Sequence, residues 1–594
     1  MTLKRSKSLI PILILAGTMA AAAQGLPPQD PEVATKTTVP AVLNRPAATP
    51  SNYSSATVRV GVQTAQPLSL TLDDAIRRAL ANNNDIEVAR TTERIQETQI
   101  RQLFGVYDPV FTATPTYSRS QSTGSAATND FRVGSNFSSF IRPGGGNYQA
   151  FFNNNRTESA FAQSQASSGT ISAANGALYT SSLGFNYIQP LARNRSIDSR
   201  RQQIKIAKKR LEQNDTDFRL QATRTITVVQ QTYWDLVFAL RNQQNVMANV
   251  NLARENLRQI EAKIDAGAAA PLGRAEVETE LANREGDLLS ATQQVSIAEN
   301  ALKQLVLKDP LSAEWSQTFV PVDRPVFSQD VTNLDGAMKD ATENRFELKR
   351  LKLQNDINDI DIRFFRNQLR PQLDLNTTFS LNGLSRGGPN LAFNTFRYTS
   401  IGDLRFFDAI NQGRVLQGLP PIVNDPILIP ASRSFLSGGF NRSLANIFRP
   451  DAPNFSVGMT ISFPFHNRTA KAELDGAKIT GEQIAAQTRA QEQQVIVDVR
   501  NAVQAVETSR LRVLTARRAR ESAEIQLNGE RKLYDAGRST TFLLFQRENS
   551  LTNARNAEVR AETDYNKALA DLQRATATSF RANNVQVDSP VVIK

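Results

Sequence analysis

Few residues of this chain are equipped to make or break a covalent bond. It has no cysteine and a single histidine, His466, so it lacks a thiolate and a second imidazole for a metal site or a proton relay. No Ser-His-Asp set, Walker-type Gly-Lys-Ser/Thr loop or dinucleotide fingerprint occurs. Gly144-Gly145-Gly146 lies in a polar stretch and precedes no helical pattern, which argues against a phosphate cradle. His466 stands at a strand–helix junction, where a lone histidine is structural or incidental. We therefore expect no catalytic residue, no cofactor and no metal.

The chemistry that the spacing does support is partition between apolar and aqueous surroundings. From Phe455 to Phe463 every odd position is large and apolar: Phe455, Val457, Met459, Ile461 and Phe463. Every even position is small or polar: Ser456, Gly458, Thr460 and Ser462. A partner stretch sets Leu373, Leu375 and Phe379 against Gln372, Asp374, Asn376, Thr378 and Ser380. Earlier, Leu183, Phe185 and Tyr187 alternate less cleanly with Gly184, Asn186 and Ile188. A strand of about 9–11 residues with one apolar face fits a transmembrane barrel, apolar side to lipid. The same alternation suits a half-buried strand of a soluble sandwich, and pattern alone does not separate the two.

The elements that position these strands come in two copies. Leu72-Asp73-Asp74-Ala75 returns as Leu334-Asp335-Gly336-Ala337, a shift of 262 (334 − 72), which also relates Asn82 to Asn344 and Pro109 to Pro371. Ile264-Asp265-Ala266-Gly267 returns as Tyr534-Asp535-Ala536-Gly537, a shift of 270 (537 − 267). In each copy a helix (70–103, 335–369) leads to a first strand starting near Pro109 or Pro371. A long polar loop (119–181, 381–454) and a second strand ending at Pro190 or Pro464 follow. A very long helix (204–264, 470–535) turns at Gly267 or Gly537 into a last helix (271–307, 541–577).

The long helices carry a heptad seam. One ladder is Leu211, Phe218, Thr225, Thr232, Ala239, Val246, Ala253 and Ile260. The other is Ala222, Val229, Leu236, Gln243, Val250, Leu257 and Ile264, with second-copy equivalents Val499, Val506, Val513, Arg520, Leu527 and Tyr534. At 1.5 Å per residue, a helix of this size spans on the order of 90–100 Å, a length suited to bridging a gap.

The N-terminus reads as an export signal: basic Lys4, Arg5 and Lys7, an apolar Leu9–Ala16, and small residues Ala20–Ala23. Net charge is +12. The cluster Arg200, Arg201, Lys205, Lys208, Lys209 and Arg210 has no interleaved aromatics, so we expect a solvated helix face and no nucleic-acid partner.

Taken in order, these motifs resemble the TolC-like outer-membrane efflux protein family (outer membrane factors). The resemblance rests on Leu72-Asp73-Asp74-Ala75-Ile76 with Asn82, the duplicated helix–hairpin–helix–helix order, Pro190, Pro464 and the Tyr534–Gly537 turn, and covers about residues 68–580. It implies a mixed, mainly α fold: a coiled-coil helical barrel continuous with a transmembrane β-barrel, four strands per chain and twelve in a homotrimer, with an internal two-fold repeat. It implies an exit duct for efflux or type I secretion, a passive conduit that meets a periplasmic adaptor (membrane fusion) protein and an inner-membrane transporter. On this reading Leu183, Phe185, Tyr187, Leu373, Leu375, Phe379, Val457, Met459, Ile461 and Phe463 face outer-membrane lipid, and Gly267 and Gly537 mark the periplasmic tip. Many family members place acidic residues just after the second turn as a constricting ring. Here Leu543 and Gln546 stand instead, behind Phe542, which suggests an apolar constriction. Equally, Phe542, Leu543 and Phe545 would simply pack the helix turn.

The expected divisions are a signal peptide (1–23), a flexible periplasmic arm (24–67), repeat 1 (68–310, hairpin 107–190), a linker (311–329), repeat 2 (330–580, hairpin 371–464) and a loose tail (581–594). A periplasmic coiled-coil adaptor or spacer without a pore is the alternative. It would carry one helical hairpin flanked by compact β domains, whereas this chain has two helical units with strands only between helices.

Overall fold

Thr71 closes the first strand and opens the first helix, its side chain accepting the Asp74 amide. Asn333 does the same for the Asp335 and Gly336 amides. The duplicated Leu-Asp-x-Ala motif is thus a capped helix start, with an acidic first turn at the positive end of the helix dipole. Its alanine goes inward in both copies, Ala75 fully and Ala337 nearly so. The computed structural model describes residues 59, 62–124, 127–158, 177–267, 270–387, 393–396, 400–429, 434–449 and 452–587; the expected signal peptide and most of the arm lie outside them.

The first helical segment is two helices, α1 (Leu72–Asn82) and α2 (Asn84–Phe104). Asn83 breaks it by capping α2 through the Asp85 and Ile86 amides. The long helix α3 runs Ser199–Asp265 and is followed by α4, Leu272–Val306. In the second half, α5 (Leu334–Asn344) and α6 (Phe346–Gln368) precede the sheet's later strands, and α9 (Arg468–Asp535) and α10 (Thr541–Ala575) follow them. The long helices hold 67 and 68 residues, about 100 Å each.

Most heptad positions are buried, Leu211, Phe218, Ala222, Thr225, Val229, Leu236, Val250 and Ile260 in α3 and Val499, Val506, Val513 and Leu527 in α9, whereas Thr232, Gln243, Val246, Leu257, Ile264, Arg520 and Tyr534 are half-buried. The largest core joins Ile76 and Ala79 of α1 to Ile226, Tyr233 and Leu236 of α3, Leu302 and Val306 of α4, and Phe319. Each such side chain taken fully from water contributes about 1.5–3 kcal/mol.

Phe319 belongs to β6 (Gln317–Pro321), which pairs parallel with β1 (Gln63–Leu70). The expected arm therefore ends in a strand, and the expected linker contains its partner. The expected loose tail is also partly placed: Val585 and Val587 pack against the helical cores, while residues after 587 lie outside the described ones.

The main correction concerns the strands. The expected four per chain are six, in one antiparallel sheet: β2 (Val110–Ser120), β3 (Thr128–Phe140), β4 (Asn147–Glu158), β5 (Leu178–Pro190), β7 (Gln372–Arg386) and β10 (Pro453–Ser462), in the order β10-β7-β5-β4-β3-β2. Much of the expected 119–181 loop is a hairpin, β3–β4, standing between β2 and β5. Its Ser/Asn/Gly content reads as loop because one face of each strand is polar. The strands instead pair laterally with a neighbour on each side, which is where their backbone hydrogen bonds go. In the 381–454 stretch, β7 continues to Arg386; a two-stranded sheet of β8 (Phe393–Phe396) and β9 (Pro426–Ile429) and the helices α7 (Ile401–Leu416) and α8 (Phe440–Ile447) follow. A short helix, α11 (Ser579–Ala582), comes after α10.

Candidate functional site

Period-two side chains and an unbroken register give the sheet two faces. One row runs across it residue to residue: Phe111, Phe137, Ala150, Phe185, Phe379 and Phe455. Above and below, the same face carries Leu183 opposite Leu381, Leu375 opposite Met459, and Leu373 opposite Ile461. Tyr148 bridges the new strands to the expected ones, stacked on Phe185 at 6.1 Å and tilted to Phe137 at 6.4 Å. The expected residues Leu183, Phe185, Tyr187, Leu373, Leu375, Phe379, Val457, Met459 and Ile461 all lie on this face, and Phe463 follows the end of β10. Phe455, Val457, Met459, Ile461 and Phe463 are exposed in the single chain. Sequence reasoning missed Phe111, Phe131, Phe137 and Tyr148; the signal was Phe131-x-Val133-x-x-x-Phe137, every apolar residue on one parity.

The opposite face is mainly polar, with apolar exceptions such as Phe151, Ile188 and Leu384. Thr112, Thr114, Thr116, Asn136, Asn153, Asn155, Thr180, Asn186, Asn376, Thr378, Ser456 and Thr460 share it. Asn376 donates to Thr460 Oγ1 across strands at 2.8 Å.

At the far end of the long helices, Gly267 and Gly537 adopt left-handed φ of +70° and +68°. Each follows the last helical turn, a conformation that a Cβ would strain although no atom crowds it. Lys263 ties the two turns together, its Nζ 4.6 Å from the Tyr534 ring centroid. Thr540 caps α10 through the Leu543 amide. The residue that packs this start is Leu544, joined to Ala523, Leu527 and Leu551. Phe542 is 72% exposed and Leu543 38% exposed, and Gln546 is exposed too. Packing of the turn thus falls to Leu544, with Phe545 half-buried, and Phe542, Leu543 and Gln546 point outward.

Farther along, Glu548 is buried where four helices meet. Its carboxylate faces Arg531 of α9 at 3.6 Å and accepts from Asn256 of α3 at 3.4 Å. Arg284 of α4 also acts on it, itself paired with Glu280 at 2.8 Å. Burial outweighs these cations and raises the Glu548 pKa above the ordinary 4.5. Between 4.5 and that raised value the folded chain holds more protons than the unfolded one. This site's contribution to stability is therefore greatest in acid and falls as pH rises through the folded pKa. Glu548→Gln is expected to flatten that part of the profile. Denaturation midpoints of the detergent-solubilised protein, followed from acid to neutral pH, check it; parallel profiles for the two proteins would refute the assignment.

Among the described residues no group of three His, Asp or Glu is placed to hold a metal ion, and no helix is long and apolar enough to cross a membrane.

The outer membrane efflux protein family model matches residues 428–578, from β9 through α10. No curated protein matches the chain. Solved structures do. A membrane protein from Pseudomonas aeruginosa aligns with TM-score 0.55 and 16% identity, over 85% of this chain and 92% of that one. The Campylobacter jejuni CmeC outer membrane channel aligns with TM-score 0.54 and 14% identity, over 87% and 90%. The open state of the Neisseria gonorrhoeae MtrE outer membrane channel aligns with TM-score 0.54 and 16% identity, over 85% and 88%. Residues 428–578 thus carry an outer membrane efflux protein domain, and the chain around them has the fold of the TolC-like outer-membrane channels.

Proposed function

We propose that this chain is the outer-membrane exit duct of an efflux or type I secretion system. It assembles as a homotrimer, with its sheets pooled into a barrel in outer-membrane lipid and its long helices forming a periplasmic tunnel. A periplasmic adaptor and an inner-membrane transporter dock at the helix-turn end, and the transporter supplies the energy. The observation that carries this reading is the two-faced sheet with both edges unpaired among the described residues, joined directly to helices of 67 and 68 residues. An apolar face suits lipid, a polar face suits a water-filled lumen, and lipid forbids open edges. The adaptor alternative lacks support, since the six strands form one continuous two-faced sheet between helices.

The outward Phe542 and Leu543 then face the narrow end as an apolar gate, which closes by dewetting. Planar-bilayer recording tests both levels. Purified trimers should conduct, and silent protein that is folded and inserted would sink the duct reading. Leu543→Asp should raise the open conductance several-fold and confer block by divalent cations. An unchanged current without block would remove Leu543 from the gate and leave the duct in place.

A further inference from the structure

The extra hairpin changes how the sheet must close. We propose that β2 of one protomer pairs antiparallel with β10 of the next copy of this chain, so that each copy contributes six strands to a shared barrel. With the trimer taken from the functional reading above, the barrel has eighteen strands (three times six).

Four observations support the pairing. Every residue of β2 and of β10 is exposed, and these two strands are the sheet's edges. Their lengths match, at 11 and 10 residues. All five pairings between them are antiparallel, so the two edges run in opposite directions. A head-to-tail contact between copies is therefore antiparallel without any crossover, and repetition of one such contact closes a ring. Finally, the apolar row starts at one edge with Phe111 and ends at the other with Phe455. Joining the edges at any even register keeps apolar residues on one side throughout.

The hairpin β3–β4 is a fixed part of the wall. Its turn is held from both sides of the sheet–helix junction. Arg142 lies 4.8 Å over the Phe104 ring, and Arg200 of α3 lies 3.6 Å over the Phe140 ring. Ser139 donates to the Tyr107 carbonyl at 2.8 Å, and Gln189 donates to the Gly144 carbonyl at 3.0 Å. Gly145, at φ +72°, fits so closely that a Cβ would lie 2.6 Å from the Asn194 carbonyl. With two strands pinned between them, β2 and β5 do not meet. Barrels of about 16–18 strands enclose an aqueous channel, whereas about eight leave only room for side chains. The membrane section is then a wide pore, and the limiting aperture lies in the helical part.

Because the chain has no cysteine, introduced pairs report cleanly. Thr114→Cys would be combined in turn with Ser456→Cys, Gly458→Cys and Thr460→Cys, which sample successive even registers on the polar face. Under mild oxidation in membranes, at least one pair should give a ladder ending at covalent trimer, while the single variants stay monomeric. Thr116→Cys with Arg132→Cys, cross-strand partners of β2 and β3, should close within one chain. Thr114→Cys with Ser182→Cys should not, because two strands separate those positions. A bridge between Thr114 and Ser182 positions, or conducting channels without any intermolecular ladder, would overturn the six-strand closure while leaving the duct reading intact. A ladder from protein that does not conduct would support the closure and count against the duct.

Discussion

Glu299→Leu is expected to destabilise the folded chain by about 3–5 kcal/mol, the cost of leaving buried charge without its partner. The Glu299 side chain is 1% exposed, Lys303 is 0% and Arg59 is 7%. One carboxylate oxygen accepts from Lys303 Nζ at 2.8 Å and from the Phe319 amide at 3.2 Å; the other accepts from Arg59. Lys303 also donates to the Trp315 carbonyl at 2.7 Å. Removing the carboxylate strands two cations in one dry site and frees a buried N–H of β6. Lys303→Met added to Glu299→Leu should recover part of the loss, since it deletes one uncompensated charge and keeps the volume. Denaturation midpoints of the three proteins in detergent decide the matter. If Glu299→Leu unfolds with the wild type, the cluster contributes nothing. A double variant below the single one would mean that Lys303 acts mainly through its bond to the Trp315 carbonyl.

The same cluster locates the limit of what sequence can convey. Arg59 and Glu299 are separated by 240 positions, and the β1–β6 pair joins strands with no alternation to announce them. Parallel pairing is a product of tertiary position and leaves little trace in local pattern. Helices were legible because their signals are local and repeated. The heptad positions Val229, Leu236, Val499 and Val513 are fully buried, and Gly267 and Gly537 take the left-handed turns expected of them. Strands β5, β7 and β10 were legible because each carries several large apolar residues in alternation.

Strands β3 and β4 were not legible, for a physical reason. A strand with one polar face carries apolar residues only on the other, and Ser135 and Ser139 thin even that set. Asn153-Asn154-Asn155 in β4 would end a strand in a soluble core. Here Asn153 and Asn155 lie on the polar face. The tip was half legible. Phe542 to Phe545 stood out as apolar, but only the packing shows that Leu544 turns inward while Phe542 and Leu543 stay exposed.

The second large effect is expected at Gly383, where one methyl group is enough. α8 lies directly on β7 and β5. Ser443 donates to the Gly383 carbonyl at 3.0 Å and bonds Ser181 at 3.0 Å. Asn446 donates to the Leu384 carbonyl at 2.8 Å and to the Phe435 carbonyl at 2.7 Å. Ser385 donates to the Gly439 carbonyl at 2.9 Å. A Cβ on Gly383 would fall inside the Ser443 carbonyl and sit 2.8 Å from the Ile447 nitrogen. Both obstacles are backbone, so no rotamer change relieves them, and the helix must lift. Overpacking of this kind costs about 1–3 kcal/mol or more, and each bond lost with it adds about 0.5–1.5 kcal/mol. Gly383→Ala should therefore release α8 while the sheet persists. Trypsin should then cut at Arg442 at least tenfold faster, a rate that follows local opening at about 1.4 kcal/mol per decade. Gly458→Ala is the matched control, since a Cβ there meets nothing within 4 Å; its digestion should follow the wild type. Equal cutting of both variants would mean that α8 is held by its side-chain contacts alone, and that the close approach at Gly383 can relax at no cost.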